Sequence, residues 1–217
     1  MILARILCLL GGYCFGLLQT AYIYGRMNGI DIREHGSGNA GTTNALRVLG
    51  KKAGLIVFLG DFLKAVAATV LARIIMTQIY PDEVYLFVAC AGLGVVLGHN
   101  FPFYLKFRGG KGIAATGGVI LGFLDPVLIV IGILSFFIIV PITRYVSVGS
   151  IMLVTTFAIS YTVSACMGRY PFNLDDPVSK EAMIESCVIV IFLAAMAIYR
   201  HRANIQRLIN HEENKLF

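Results

Sequence analysis

Long apolar runs alternate along the chain with short polar segments that are rich in glycine. A helix needs about 20 mainly apolar residues to cross a bilayer. We therefore predict an all-α integral membrane bundle of seven transmembrane helices, near residues 2–24, 53–79, 84–97, 113–123, 126–141, 148–167 and 182–199. Asp125-Pro126 predicts a turn, because proline disfavours helix in the residue before it. This turn makes the fourth and fifth helices a hairpin of two short helices.

The charged residues orient these seven spans. Basic residues collect on one side of the membrane, and such a bias marks the cytoplasmic side. The N-terminus then lies outside, the C-terminus lies in the cytoplasm, and residues 1–217 form a single membrane domain. The basic residues on the cytoplasmic side are Arg26, Arg33, Arg47, Lys51, Lys52, Lys106, Arg108, Lys111, Arg144, Arg200, Arg202, Arg207 and Lys215.

The composition agrees with a membrane protein, since 58% of the residues are hydrophobic and 14% are charged. A soluble domain has about a quarter charged residues. The formal charge is +6, but the basic residues lie between apolar runs and not on one soluble face. Anionic lipids or phosphorylated substrates are therefore the expected partners, and nucleic acid is not. The five cysteines form no CxxC pair, which favours small buried hydrophobes over disulfides or metal ligands.

The first predicted cytoplasmic loop contains Gly36–Asn44, followed by Arg47. Its GxGxxG match does not indicate a dinucleotide site, because a membrane helix and not a strand precedes the glycines. The glycines let backbone amides converge on an anion, and Arg47 adds a bidentate cation. We therefore predict that this loop binds phosphate. The alternative is a flexible loop whose polar side chains only satisfy its own backbone.

Three further polar segments follow on the same predicted face. Arg108–Thr116 places Gly-Gly-Lys-Gly at the start of a helix, where free amides and the helix dipole attract anions. Lys111 is followed by glycine, which departs from the P-loop pattern. Ser147 in the third loop suits a helix N-cap as well as a ligand. His201 and Asn204, after the last span, lie three residues apart and share a helix face.

Two opposite charges, Asp61 and Lys64, lie inside the second span. Ionisable residues at such depth are costly in lipid and are often functional. The sequence leaves two roles open for this pair. The two residues either serve the site or only neutralise each other in a structural role.

Together these motifs resemble the bacterial acyl-phosphate:glycerol-3-phosphate acyltransferases, the PlsY family. The resemblance runs from the first span to about Lys215. It is carried by GSGNAGTTNALRVLGKKAG (36–54), GDFLK (60–64), GHNFPFYLKFRGGKGIAAT (98–116), RYVSVGS (144–150) and YRHRANIQRL (199–208). The chain departs from the family at two positions, because Ala65 and His211 stand where glycine is usual.

The resemblance implies transfer of a fatty acyl group from acyl phosphate to glycerol 3-phosphate, without metal or cofactor. The products are 1-acyl-glycerol 3-phosphate (lysophosphatidic acid) and phosphate, which begins phospholipid synthesis. It also implies a bacterial inner membrane location with a cytoplasmic active site, and a soluble acyl-phosphate synthase as a candidate partner. Lys111, His201 and Asn204 are expected in catalysis. The expected substrate-binding residues are Ser37, Gly38, Asn39, Thr42, Asn44, Arg47, Arg108, Gly110 and Ser147.

The absence of two common catalytic motifs from the sequence bears on this chemistry. No histidine has an aspartate five residues later, and no serine or cysteine lies in a nucleophile elbow. An acyl phosphate already carries a good leaving group, so the site must mainly offset the repulsion between two phosphates and orient the attacking hydroxyl. The proton goes either to the substrate's own phosphate or to His201.

Two other classes of protein fit the sequence less well. A transporter of a phosphorylated solute would hold its polar site near the bilayer midplane, between repeated halves. Here the polar motifs are predicted at one face, and no repeat is visible. A structural subunit with basic lipid-binding loops would not need glycines beside its cations.

Overall fold

Helices dominate the computed structural model, which describes residues 1–169 and 177–216. The α-helices of this part of the chain are α1 (Ile2–Gly16), α2 (Thr20–Met27), α3 (Thr42–Leu49), α4 (Lys51–Ile79), α5 (Val84–Asn100), α6 (Ile113–Gly122), α7 (Pro126–Thr143), α8 (Val146–Cys166), α9 (Pro177–Arg200) and α10 (Arg202–Ile209). The prediction of an all-α membrane protein is confirmed.

Six helical segments are long and apolar enough to cross a bilayer, namely Ile2–Met27, Lys51–Ile79, Pro81–Leu105, Pro126–Thr143, Val146–Cys166 and Val178–Arg200. The predicted fourth span is α6, which has only 10 residues. It therefore reaches about 15 Å, half of a bilayer core of about 30 Å. The prediction that the fifth helix is also short is wrong. α7 has 18 residues, because its apolar sequence continues helically through Pro141, which falls in the last turn.

The turn predicted between α6 and α7 is confirmed. Leu124 has a φ of 53°, so the chain reverses in a left-handed conformation. Asp125 Oδ1 then accepts hydrogen bonds from the backbone amides of Val127 (2.8 Å) and Leu128 (3.3 Å). This aspartate is thus an N-cap, and Pro126 takes the first helical position, where its missing amide costs nothing.

α5 lies at the centre of the bundle, and nearly all of its residues are buried. Its closest neighbour is α1, because glycines face each other where the two helices cross. A Cβ on Gly12 would collide with the Ala91 carbonyl oxygen, and a Cβ on Gly98 would collide with that of Tyr13. Small residues allow this close backbone approach between helices in a membrane.

The first predicted span is interrupted between α1 and α2, which the sequence did not predict. Buried Gln19 donates from Nε2 to the carbonyls of Gly16 (3.1 Å), Gly98 (3.2 Å) and His99 (3.1 Å). Lys64 Nζ donates to the carbonyls of Gly16 (3.3 Å) and Leu18 (2.5 Å). Non-helical backbone is tolerated at membrane depth only where its polar groups are satisfied. These two side chains satisfy carbonyls that the break releases.

Candidate active site

All four polar segments meet at one cavity of about 390 Å³. Of the twelve predicted site residues, nine line it: Ser37, Asn39, Thr42, Asn44, Arg47, Lys111, Ser147, His201 and Asn204. Gly38, Arg108 and Gly110 do not belong to the lining. Arg108 is exposed, and Gly38 lies at the exposed surface of the first loop with a φ of 69°.

The N-termini of three helices, α3, α6 and α8, open on this cavity. Their first residues line it, and no side chain of the described residues caps any of the three. The first hydrogen bonds within α3 and α6 come from Ala45 N to Gly41 O (3.0 Å) and from Thr116 N to Gly112 O (2.7 Å). The amides before them have no partner inside their helix. Together with the positive ends of the dipoles, these amides form a site for anions.

The first loop is held by Asn44, whose side chain lies inside it. Asn44 Oδ1 accepts from Ser37 N (2.8 Å), and Nδ2 donates to the carbonyls of Ile32 (3.1 Å) and His35 (2.9 Å). A Cβ on Gly36 would collide with Asn44 Oδ1. The side-chain amide of Asn44 therefore organises the loop. This agrees with the alternative prediction for the segment, in which polar side chains satisfy the loop's own backbone.

Thr42 differs from Asn44 because its hydroxyl is not used by the protein. Thr42 Oγ1 is buried and has no hydrogen-bond partner among the described residues. Thr42 is the first residue of α3 and lines the cavity. A buried hydroxyl without a partner is costly, so a ligand oxygen at this point would complete the site.

The second loop, Gly109–Gly112, is tied to its surroundings through its first two residues. Gly109 N and Gly110 N donate to the carbonyls of Asn100 and His99, each at 3.2 Å. Arg200 Nη2 donates to the carbonyls of Gly109 (3.2 Å) and Gly110 (2.7 Å). The amides of the two glycines are thus engaged and not free, contrary to the sequence-based expectation. The open amides are those at the start of α6.

A network of side chains joins the second loop to the C-terminal segment. Lys111 Nζ donates to Asn204 Oδ1. Asn204 Nδ2 donates to Glu213 Oε1 (2.8 Å), which also accepts from Ser147 Oγ (3.3 Å). Arg207 Nε donates to Glu213 Oε2 (2.7 Å). Sequence reasoning missed Glu213, and the signal available was a pair of acidic residues, Glu212 and Glu213, in an otherwise basic tail.

The cations of the cavity have different surroundings. Burial lowers the pKa of Lys111 to about 8, and the nearby Arg207 cation adds to this effect while Glu213 opposes it. Arg47 is exposed and lines the cavity, and it has no hydrogen-bond or ion-pair partner among the described residues. Its guanidinium fork is therefore available to a ligand.

His201 is buried between α9 and α10. Its Nδ1 lies 2.7 Å from the Ala197 carbonyl oxygen, so Nδ1 carries the hydrogen and Nε2 is the free acceptor. Burial lowers the pKa of His201 to about 4. The imidazole is thus neutral at physiological pH, and it is a weak base.

The cavity is apolar on its other side. Side chains of α4, α6, α7 and α8 form this part, namely Phe58, Phe62, Ile113, Ile133, Phe136, Phe137 and Leu153. Phe137 is 59% exposed, on a helix of a length that crosses the membrane. The cavity therefore joins a cationic, amide-rich end to an apolar groove that reaches the outer surface of the bundle.

This arrangement defines a class of protein, a membrane-embedded enzyme whose site suits phosphate groups attached to an apolar chain. The profile of the family described as Glycerol-3-phosphate acyltransferase matches residues 6–211. Glycerol-3-phosphate acyltransferases of Halalkalibacterium halodurans, Geobacillus kaustophilus and Bacillus subtilis are 39%, 43% and 40% identical to this chain. The alignments cover 97%, 96% and 94% of this chain and 94%, 91% and 93% of these relatives.

Two crystal structures of PlsY (YgiH), an integral membrane glycerol 3-phosphate acyltransferase, have the same fold. The glycerol 3-phosphate form matches with a TM-score of 0.81 and the lysophosphatidic acid form with 0.76, each at 30% identity. The matches cover 98% of this chain and 96% and 95% of those chains. The chain belongs to the glycerol-3-phosphate acyltransferase family, as its motifs predicted.

Proposed function

We propose that this protein transfers a fatty acyl group from acyl phosphate to glycerol 3-phosphate, giving 1-acyl-glycerol 3-phosphate and inorganic phosphate. The proposal rests on the combination of a cationic end and an apolar groove in one cavity. Three helix N-termini, Arg47 and Lys111 lie at one end, and an apolar groove forms the other. Two phosphate groups fit the first part, and a fatty acyl chain fits the second. The family and its structures in glycerol 3-phosphate and lysophosphatidic acid forms support this reading.

The predicted substrate-binding residues and Lys111 divide between the two substrates. Ser37, Arg47, Lys111 and Ser147 are assigned to glycerol 3-phosphate, and Gly38, Asn39, Thr42 and Asn44 to the surroundings of the donor phosphate. Within the second set, the partnerless Thr42 hydroxyl is the best-placed side-chain donor. Asn44 acts by holding the loop. Arg108 and Gly110 act at a distance from the lining, as part of the loop that carries Lys111.

In the reaction, the C1 hydroxyl oxygen of glycerol 3-phosphate attacks the carbonyl carbon of the acyl phosphate. The new ester bond forms, the bond from the carbonyl carbon to the phosphate oxygen breaks, and inorganic phosphate leaves with the electron pair. Charge on the carbonyl and leaving oxygens is stabilised by amides of α3 and α6 and by Lys111, whose ammonium Asn204 orients. His201 and Asn204 close the site over the substrates.

The hydroxyl proton passes to a substrate phosphate. A phosphate monoester has a second pKa of about 6, whereas the pKa of His201 is lowered to about 4. The phosphate is thus the stronger base near neutral pH. His201 Nε2 instead accepts a hydrogen bond from the hydroxyl and aligns it.

We further infer the placement of the enzyme. Seven membrane crossings put the N-terminus outside and the C-terminus and cavity on the cytoplasmic face of the bacterial inner membrane. Because α6 has only 10 residues, the non-helical residues that flank it would have to complete the fourth crossing. The basic residues at the cavity end support this orientation. A soluble synthase of acyl phosphate would then deliver the donor from the cytoplasm. The alternative, a transporter of a phosphorylated solute, has no support from the relatives, which are named as acyltransferases.

The test is turnover by the purified protein in detergent with glycerol 3-phosphate and either palmitoyl phosphate or palmitoyl-CoA. We expect lysophosphatidic acid and one equivalent of inorganic phosphate with the acyl phosphate, and background formation with the thioester. A Thr42→Val variant, which removes one hydroxyl at constant shape, should raise KM for the acyl phosphate. Equal or faster turnover with palmitoyl-CoA would refute the assignment of the donor.

A further inference from the structure

The Asp61–Lys64 pair has more partners than mutual neutralisation requires. Lys64 Nζ lies 2.9 Å from Asp61 Oδ1, 3.0 Å from His99 Nδ1 and 2.5 Å from the Leu18 carbonyl oxygen. Asp61, Lys64 and His99 are 1%, 5% and 3% exposed. An ion pair that only cancels its own charge needs no third side chain. The contact of Lys64 with His99 therefore requires a separate explanation.

The contact with Lys64 fixes the hydrogen positions of His99. His99 Nδ1 lies 3.0 Å from Lys64 Nζ and 3.5 Å from Asp61 Oδ1, so both members of the pair hold the ring. An ammonium can only donate, so in the shorter of these contacts Nδ1 accepts from Lys64, and Nε2 carries the ring hydrogen. On that side the ring packs against the second loop, because a Cβ on Gly110 would collide with His99 Nε2. The ring is thus held between a buried cation and a glycine of the site.

His99 also holds Gly110 through its backbone. The His99 carbonyl oxygen accepts from Gly110 N (3.2 Å) and from Gln19 Nε2 (3.1 Å). Gly110 directly precedes Lys111, and it also approaches the first loop, since its Cβ would lie 2.6 Å from the Ala40 carbonyl oxygen. A shift of His99 would therefore move the junction between both phosphate-binding loops.

We propose that Asp61, Lys64 and His99 form a positioning chain that sets where Lys111 and the start of α6 lie in the cavity. Asp61 fixes Lys64, Lys64 fixes the ring of His99, and His99 fixes Gly110. Asp61 and His99 also line the cavity, so the chain lies directly beneath the site. These are positioning residues, and they act on the substrate through the second loop. The inference rests on the proposed function, because its readout is the acyl transfer reaction.

The decisive variant is the double substitution Asp61→Asn with Lys64→Met. The double variant contains no unpaired buried charge. If the pair served only to neutralise itself, its loss would not affect substrate binding. Lys64→Met also removes the donor to the carbonyls of Gly16 and Leu18, so we expect a lower thermal unfolding midpoint. KM for glycerol 3-phosphate, measured on the folded protein, should rise about tenfold or more, since small displacements of binding groups are costly. Ser160→Ala is the matched control and should leave KM unchanged. It removes a buried hydroxyl that, among the described residues, bonds only within its own helix.

His99→Asn tests the chain even if the double variant does not fold. The shorter amide still offers Lys64 an acceptor near the position of Nδ1, but it withdraws from Gly110. We expect the same rise in KM for glycerol 3-phosphate. A wild-type KM in either folded variant would overturn the positioning chain. Absence of acyl transfer by the wild-type protein would instead refute the proposed function, so the two failures are distinguishable.

Discussion

The cations of the site are expected to differ sharply in importance. Lys111 Nζ donates to Asn204 inside the cavity, and Arg47 lines the cavity without a protein partner. Removing either cation takes away a charge-assisted hydrogen bond to a substrate phosphate, worth about 1.5–3 kcal/mol. Arg47→Ala and Lys111→Ala should therefore each lower kcat/KM about ten- to a hundredfold. Arg47→Lys should also be poor, because an ammonium cannot reproduce the two-pronged guanidinium.

Lys51→Ala is the matched control for these variants. Lys51 lies only four residues after Arg47, at the start of α4, but it is exposed and is not part of the cavity lining. The assay is kcat/KM with glycerol 3-phosphate and acyl phosphate, at equal amounts of folded protein. We expect Lys51→Ala to stay within about twofold of the wild type, as a solvent-exposed charge contributes little. If it loses as much as Lys111→Ala, the loops act only through bulk charge and the site assignment is wrong.

Three further predictions follow from the structure. kcat/KM for glycerol 3-phosphate should fall as pH rises through about 8, because the cationic form of Lys111 binds the phosphate and the pKa of Lys111 is lowered. In Lys111→Arg the fall should move to higher pH, and an unchanged profile would show that Lys111 does not bind the phosphate. His211→Gly should raise stability by about 0.5 kcal/mol in thermal unfolding, because His211 has a φ of 59°, whereas Asn210→Gly at a φ of −82° should lower it. In a cysteine-free background, Lys106→Cys should react with an impermeant thiol reagent only after permeabilisation and Asp82→Cys in intact cells; the reverse labelling would contradict the orientation.

Much of the fold could be predicted because hydrophobicity and turn chemistry act locally. The apolar runs correspond to the long helices. Asp125 and Pro126 separate two of these runs, because together they form the N-terminal cap and first residue of α7. The glycine that the resemblance leads us to expect at position 211 has a similar local reason, because His211 adopts the left-handed conformation that glycine favours. Such features require no knowledge of distant neighbours.

The features that were missed depend on distant partners. The interruption between α1 and α2 falls at Leu17, Leu18 and Gln19, where the sequence has no helix-breaking glycine or proline. It is stabilised by Lys64, which is more than forty residues away in the sequence. Glu213 joins the site only because the tail folds back on Ser147, at a separation of 66 residues. For Asn44, composition alone could not distinguish a ligand from a residue that organises its own loop. Its hydrogen bonds to Ser37, Ile32 and His35 make that distinction.

The charge of the cavity explains why the protein needs helix ends as well as cations. In the proposed reaction, the phosphate groups of the two substrates bring about −3 to −4 charges together at neutral pH. Glu213 pairs with Arg207, so Arg47 and Lys111 supply the uncompensated side-chain charge. Each helix N-terminus adds about half a positive charge, and the three that open on the cavity bring the total to about +3.5. The site therefore comes close to neutralising both substrates, and the part that comes from backbone dipoles does not titrate. Loss of the Lys111 proton near pH 8 removes one of the two uncompensated cations among the described lining residues. The alkaline limb of the pH profile is therefore the most direct readout of this balance.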